Sequence, residues 1–380
     1  MLIALIDPGA YTPPYDDRLA SSLAERGHDV HLLTAPFRFG ETPRADGYRR
    51  EELFFRLSSS LFRGAPRSPW RLPLKAIEYI PGTKRLRRRI EELDPDVVHF
   101  QWLVHRPDID LRWLRTITAR RRTAFTAHDL WAMLKSRPGE WQRVFETVDR
   151  VIVHSRRGVD ELMRLGLAED RIVRIPHPVF DSEQAPDPDP PTGSTLLVFG
   201  VIRTYKGIDL LLRALPEISR AVPEARLIVA GDPQDPVGPF QSLADHLGIA
   251  DLVEWRLAFQ SETEIDTLMA EASVVVLPYR HQVDSSGVLA RALGRGRPVV
   301  ATSVGNLGET VEEFGAGEVV PVNDVDALAT ACIRLLSDVG ARERATQGTL
   351  SARKALTWQA SAQLHEQMYA GIRELSLPNP

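Results

Sequence analysis

The chain has 380 residues, with 47 Lys and Arg against 51 Asp and Glu, a formal net charge of −4, and it is 43% hydrophobic and 26% charged. These proportions exclude a disordered or fibrous chain, and the near-neutral balance argues against bulk electrostatic binding of nucleic acid. The length exceeds what one hydrophobic core serves, so two domains are expected.

From the N terminus the chain reads strand, loop, helix, strand. Leu2–Ile6 is an apolar run of buried-strand type. After a loop from Asp7 to Pro14, residues Asp17 to Arg26 place Leu19, Leu23 and Ala24 at helical spacing, and Gly27 is a stop. Asp29–Thr34 is the next strand. This βαβ rhythm predicts a parallel sheet with helices on both faces. Asp96–Phe100, Thr123–Ala127, Arg150–His154 and Arg171–Ile175 read as further strands, with helices near 84–93 and 156–165. Residues 181–194 hold the proline- and acid-dense run Ala-Pro-Asp-Pro-Asp-Pro-Pro, an extended linker. The rhythm then repeats. Strands are expected at Thr195–Phe199, Arg226–Ala230, Leu252–Trp255, Ser273–Leu277 and Pro298–Thr302. Helices are expected at 207–220, 239–247, 262–271, 287–295, 324–336 and 340–348, and a last amphipathic one covers about 356–375. The predicted fold is α/β, two tandem doubly wound Rossmann-like domains: 1–180, then the linker 181–194, then 195–355, with a terminal helix in 356–380. Ligands of such sheets bind beyond the carboxyl ends of the strands, and the cleft between two such domains is the default site.

One turn stands out. The strand Leu197-Val-Phe199 runs into Gly200, followed by Arg203, Lys206 and Gly207 at the start of a helix. A guanidinium fork, an ammonium and unsatisfied helix N–H groups suit a diphosphate, although two cations near a glycine also describe an ordinary solvated loop. A second cluster follows the strand ending Leu277-Pro-Tyr-Arg280. Here Asp284, Ser285, Ser286 and Gly287 open a helix that Gly296 ends, and Pro298 opens the next strand. The loop expected after that strand is Ser303-Val-Gly-Asn-Leu-Gly-Glu309. Together with Ala230-Gly-Asp-Pro233, these pieces resemble the nucleotide-sugar half of GT-B glycosyltransferases, specifically the large retaining family 4, the "glycosyl transferases group 1". The first domain agrees through Leu23 to Val30, Asp94 to Phe100, Thr126 to Asp129, Val151 to Ser155 and Ile175 to Pro178.

The resemblance implies an enzyme that moves a sugar from a nucleoside diphosphate donor, of uridine or guanosine type, to an acceptor hydroxyl, with retention. The first domain would bind the acceptor and the second the nucleotide, and the terminal helix would pack back on the first. Arg203 and Lys206 would hold the diphosphate and stabilise the leaving group. Gly200 frames that turn, and Ser285, Ser286 and Gly287 would offer N–H groups to the same phosphates. Glu309 stands at the family's later acidic position. His128 matches the histidine that contacts the donor sugar, with Asp129 orienting its loop. Gly9 and Ala10 occupy the loop that approaches a phosphate or the acceptor, but the family's double glycine is here Gly-Ala. A larger departure is Arg291, where the family has a glutamate for the ribose hydroxyls. A guanidinium accepts no hydrogen bond. The glutamate expected eight residues earlier is Val283, beside Asp284. A GT-B epimerase and a non-catalytic scaffold are the alternatives, the latter drawing its support from Arg291.

No cofactor or metal is expected, since basic side chains replace the metal in this family. The single cysteine, Cys332, rules out an intramolecular disulfide. No apolar run approaches the roughly 20 residues that span a bilayer, so a cytoplasmic, soluble protein is expected. Residues 63–89 mix cations (Arg63, Arg67, Arg71, Lys75, Lys84, Arg85, Arg87, Arg88, Arg89) with Trp70, Leu72, Ile77 and Ile80. That pattern reads either as a peripheral membrane patch presenting a lipid-linked acceptor at the inner face of the membrane or as an acceptor-side loop and a solvated helix.

Overall fold

The structure, a computed structural model, describes residues 1–37, 44–62, 68–103, 106–180, 193–281 and 283–374. Most of the expected linker, 181–192, and Arg63 and Arg67 lie outside the described residues. The chain divides into two compact units, Met1–Pro176 with the chain from Trp358 onward, and His177–Thr357. The division thus falls at Pro176, before the linker, because Val179 and Phe180 donate backbone hydrogen bonds to Leu356 and Ala290 of the second unit.

In the first unit the order is β1 (Leu2–Asp7), α1 (Pro13–Glu25), β2 (Asp29–Thr34), β3 (Arg49–Glu52), α2 (Arg56–Leu61), α3 (Arg71–Leu93), β4 (Val97–Phe100), α4 (Pro107–Thr118), β5 (Thr123–Thr126), α5 (Leu130–Ser136), α6 (Pro138–Thr147), β6 (Arg150–Val153), α7 (Arg156–Arg164) and β7 (Ile172–Arg174). The strands lie parallel in the order β3-β2-β1-β4-β5-β6-β7. Strands β1, β4, β5 and β6 are almost wholly buried, as central strands covered on both faces must be. β3, sequence RREE, is an edge strand paired with β2. The expected helix 84–93 is the C-terminal half of α3.

In the second unit the order is β8 (Thr195–Phe199), α8 (Ile208–Ala221), β9 (Arg226–Ala230), α9 (Gly238–His246), β10 (Val253–Arg256), α10 (Glu262–Glu271), β11 (Val274–Leu277), α11 (Gly287–Gly294), β12 (Val299–Thr302), α12 (Gly305–Phe314), β13 (Gly317–Val320), α13 (Val325–Ser337) and α14 (Val339–Ala355). The parallel order is β10-β9-β8-β11-β12-β13. The stretch expected as a loop, Ser303 to Glu309, is a loop only to Val304, and Gly305 begins α12. The last helix, α15 (Trp358–Arg373), packs on α1 within the first unit, where its Trp358 meets Tyr15 edge-on.

Both sheets are α/β and doubly wound. Each reverses direction at one point, between β1 and β4 in the first and between β8 and β11 in the second. Loops leaving those strands' carboxyl ends splay apart there and open a crevice for a ligand.

Candidate functional site

In the second unit, the candidate residues gather at the β8–β11 reversal. Gly200 leaves β8 with φ +102°, a region open to glycine. A Cβ there would lie 2.8 Å from the Lys206 Nζ and 3.1 Å from Val288. Lys206 sits on a single 3₁₀ turn, Thr204–Lys206, and folds back over the strand end. It is buried, donates to the Phe199 carbonyl at 3.3 Å and lies 5.3 Å from the centre of the Tyr279 ring. Burial lowers its pKa to about 8, with the neighbouring Arg203 charge acting the same way. This is a desolvated ammonium without a carboxylate among its causes of shift, a group that an anionic ligand would complement.

Arg203 is exposed and donates through Nε to Gln234 Oε1 at 2.8 Å. Its loop is fastened to the Ala230–Pro233 turn. Ile202 N–H donates to the Asp232 carbonyl at 2.9 Å, and Asp235 accepts from the Thr204 backbone and hydroxyl at 2.7 and 2.8 Å. Arg280 ties the other side. It reaches both carboxylate oxygens of Asp209 at 2.7 Å, donates to Asn323 at 2.9 Å, and its backbone N–H donates to the Tyr205 carbonyl at 2.8 Å. The cationic turn is therefore held in place before any ligand arrives.

At the start of α11, Ser286 is the cap, accepting from Leu289 N–H at 3.3 Å, and its side chain meets the buried Tyr279 hydroxyl. Ser285 is half-buried, Gly287 is exposed and Asp284 is fully buried. Glu309 lies half-buried on the first turns of α12. Arg291 points elsewhere: its guanidinium pairs with both oxygens of Glu262 at 2.7 and 2.8 Å and lies 4.7 Å from the Phe180 ring centre. The substitution for the family glutamate is thus absorbed by α10 and Phe180. The sequence held no signal for that partnership, since Glu262 is 29 residues away.

In the first unit, the loop after β1 is organised by a buried carboxylate. Asp7 accepts from the N–H groups of Gly9, Tyr11 and Thr12 at 3.2, 2.6 and 3.1 Å. Burial and the Asp7 charge push Asp16 well above the usual carboxylate range, and burial also raises Asp7. Gly9 is seated against the Tyr11 ring, where a Cβ would collide. Ala10, in the place of the family's second glycine, adopts the left-handed φ of +48°.

His128 lies just past the end of β5 and is 6% exposed. Its Nε2 meets Gln101 Oε1 at 2.7 Å and its Nδ1 meets His154 Nε2 at 3.3 Å. Trp102 stacks on it with ring centres 5.5 Å apart, and Tyr15 meets it edge-on at 4.7 Å. Both imidazole nitrogens are therefore engaged within the protein. Asp129 caps α5 by accepting from Ala132 N–H. The sequence alone singles out none of His154, Gln101 and Trp102 for the site. All three follow strand ends, the one signal that could have marked them. Among the described residues no group of three His, Cys, Asp or Glu side chains is placed to hold a metal ion.

Two family profiles match the chain in tandem: "Glycosyltransferase Family 4" over residues 17–183 and "Glycosyl transferases group 1" over residues 193–338. A D-inositol 3-phosphate glycosyltransferase of Mycobacterium marinum is 30% identical, covering 88% of this chain and 74% of that protein. The chain belongs to the family 4 glycosyltransferases. This glycosyltransferase is also 30% identical to a GDP-mannose-dependent phosphatidylinositol monomannoside mannosyltransferase of Mycolicibacterium smegmatis, over 68% of this chain and 72% of that one. Its fold matches the sucrose-phosphate synthase of Thermosynechococcus elongatus with a TM-score of 0.73 at 19% identity, covering 98% and 99% of the two chains. It also matches Anabaena HepE, solved with UDP and glucose, with a TM-score of 0.72 at 16% identity, covering 98% and 100%. These neighbours establish the GT-B architecture of the glycosyltransferase.

Proposed function

We propose that this glycosyltransferase takes a sugar from a nucleoside diphosphate donor and places it, with retention, on an acceptor hydroxyl. The observation that carries the reading is Lys206, an ammonium buried under Gly200 at the sheet reversal, with Arg203 beside it and the Ser286-capped start of α11 on the neighbouring strand. The C–O bond between the anomeric carbon and the diphosphate breaks, and the leaving oxygen gathers negative charge. Lys206 and Arg203 stabilise that charge, taking the part a metal ion plays in other sites. The leaving phosphate accepts the acceptor's proton as the acceptor oxygen bonds to the same face of the sugar. In this reading the second unit holds the donor and the first the acceptor. The names of the relatives, which specify an inositol phosphate glycosyltransferase and a phosphatidylinositol monomannoside mannosyltransferase, support an acceptor that carries phosphate on a polyol. They also make membrane contact through 63–89 part of the reading.

Titration calorimetry with UDP and GDP, followed by transfer assays with the matching sugar donors, tests it. Binding of one diphosphate, lost at least tenfold in Lys206→Ala with the fold intact, supports the reading. Equal binding by the wild type and Lys206→Ala overturns the assignment of this site. Turnover of no donor by a nucleotide-binding protein would favour the scaffold alternative.

A further inference from the structure

Helix α2 and the first half of α3 turn charged residues inward and apolar ones outward. On an ordinary surface helix the charged residues face water and the apolar ones face the core. Here Arg71 and Glu78 are buried, each 5% exposed, whereas Leu72, Ile77 and Ile80 are 69%, 71% and 59% exposed. On α2, Leu57 and Leu61 are 61% and 71% exposed, and Trp70, which precedes α3, is 77% exposed. The inward charges have structural tasks. Glu78 accepts from the N–H groups of Leu57 and Ser58 at 2.9 and 3.0 Å, capping α2 against α3. Arg71 donates to Ser59 Oγ at 3.2 Å, and the Lys75 ammonium lies over the Phe55 ring at 4.3 Å. These contacts fix the two helices while six large apolar side chains stand outward, each more than half exposed.

The outward stripe changes character along α3. Residues at helical spacing run Pro73, Ile77 and Ile80, then Lys84, Arg87 and Arg88, all exposed. These cations stop short of the last helical turn, Ile-Glu-Glu-Leu, and Arg88 pairs with Glu92 at 3.2 Å. A patch of this kind on a protein surface marks an interaction site. Apolar side chains with an exposed tryptophan, continued by a basic stretch, fit the boundary of a bilayer whose headgroups are anionic. The chain as a whole carries a net charge of −4, so the attraction is local to these helices.

We propose that helices α2 and α3 dock the protein on an anionic lipid bilayer, with Leu57, Leu61, Trp70, Leu72, Ile77 and Ile80 entering the headgroup region and Lys84, Arg87 and Arg88 held at the phosphates. This deepens the membrane part of the functional reading and rests on it only for the location of the acceptor. It requires nothing of the donor site.

Flotation of the full chain with vesicles tests the proposal. The wild type should float with phosphatidylcholine vesicles containing about 30% phosphatidylglycerol and stay behind with phosphatidylcholine alone, since attraction to basic residues depends on anionic lipid. Ile77→Glu/Ile80→Glu should cut the bound fraction at least tenfold. Because those side chains are already exposed, melting temperature and UDP or GDP binding should be unchanged. Should that variant fail to fold, Lys84→Ala/Arg87→Ala/Arg88→Ala gives an independent reading, with binding reduced and recovered by no increase in zwitterionic lipid. Flotation of either variant equal to the wild type, or no flotation of the wild type, overturns the proposal. So does a wild-type dimer that Ile77→Glu/Ile80→Glu converts to monomer, since a second copy would then be the occupant of this face. Loss of nucleotide binding in the wild type would instead strike the donor-site reading and leave the flotation result standing.

Discussion

Gly200 and Lys206 share one space: a side-chain carbon on the first would lie 2.8 Å from the ammonium of the second. The positive φ of Gly200, +102°, adds backbone strain for any other residue. Gly200→Ala should therefore displace Lys206 from its seat against Phe199 and Tyr279. Diphosphate affinity should fall at least tenfold in titration calorimetry, and the melting temperature should fall with it. Unchanged affinity would mean that the position of Lys206 does not matter to the ligand.

Lys206 also links pH to stability and to binding. Burial lowers its pKa from 10.5 to about 8. Between those values the unfolded chain binds the proton and the folded chain does not, so stability from this group rises with pH from about 8 to 10.5. Near neutral pH the charged, buried form then costs the free protein about 3 kcal/mol, using about 1.4 kcal/mol per pKa unit. Lys206→Met should be more stable than the wild type at pH 7 in the absence of ligand, by up to that amount, and should lose the alkaline rise, while transfer activity collapses. A bound diphosphate favours the ammonium, so wild-type affinity should decline as pH rises through about 8. Denaturant melts and calorimetry at pH 7, 8 and 9 check both signs. A less stable Lys206→Met with the same pH slope as the wild type would refute the account.

The strands were legible in the sequence where both faces are buried, because β1, β4 or β11 is a short apolar run between turn signals. β3 was not, because an edge strand of sequence RREE has no apolar periodicity and is held by pairing with β2 and by the Arg89–Glu51 and His31–Glu51 contacts. Nor was α12, whose opening Gly-Asn-Leu-Gly reads as a loop until the packing of Val304, Leu307 and Val311 in the core is known. The first half of α3 was hidden because its polar residues face inward. At the candidate site, spacing marked Arg203 and Lys206 as cations by a glycine turn. It could not reveal that Lys206 is buried, which depends on Val288 of α11 and on Tyr279 of the loop after β11. The Arg280–Asp209 pair, 71 residues apart, was equally invisible.

Arg291 gives a direct test of whether its departure from the family glutamate alters donor binding. Its bidentate pair with Glu262 is partly exposed and its ring contact is with Phe180. Arg291→Ala should cost about 1 kcal/mol of stability, the scale of an exposed to half-buried pair plus a cation–π contact. UDP or GDP affinity should change less than threefold. Phe180→Leu should reproduce part of the stability loss. A tenfold loss of affinity in Arg291→Ala would place its guanidinium in the donor site instead.

Gln101 holds His128 through one short contact. The chain of contacts runs from the Ile175 carbonyl through His154 and His128 to Gln101. The Ile175 carbonyl accepts from His154 Nδ1–H at 2.8 Å, and the Gln101 amide oxygen faces His128 Nε2 at 2.7 Å, so His128 Nε2–H donates to it. Gln101 is thus a positioning residue, and a sugar hydroxyl reaching His128 must exchange with it. Gln101→Leu should lower kcat about tenfold with KM little changed, within the range for general acid–base and orienting groups. Gln101→Glu should restore much of the rate and shift the pH profile to higher pH, because a carboxylate beside the imidazole favours its charged form. A merely structural role for Gln101 would leave the pH profile where it is in both variants.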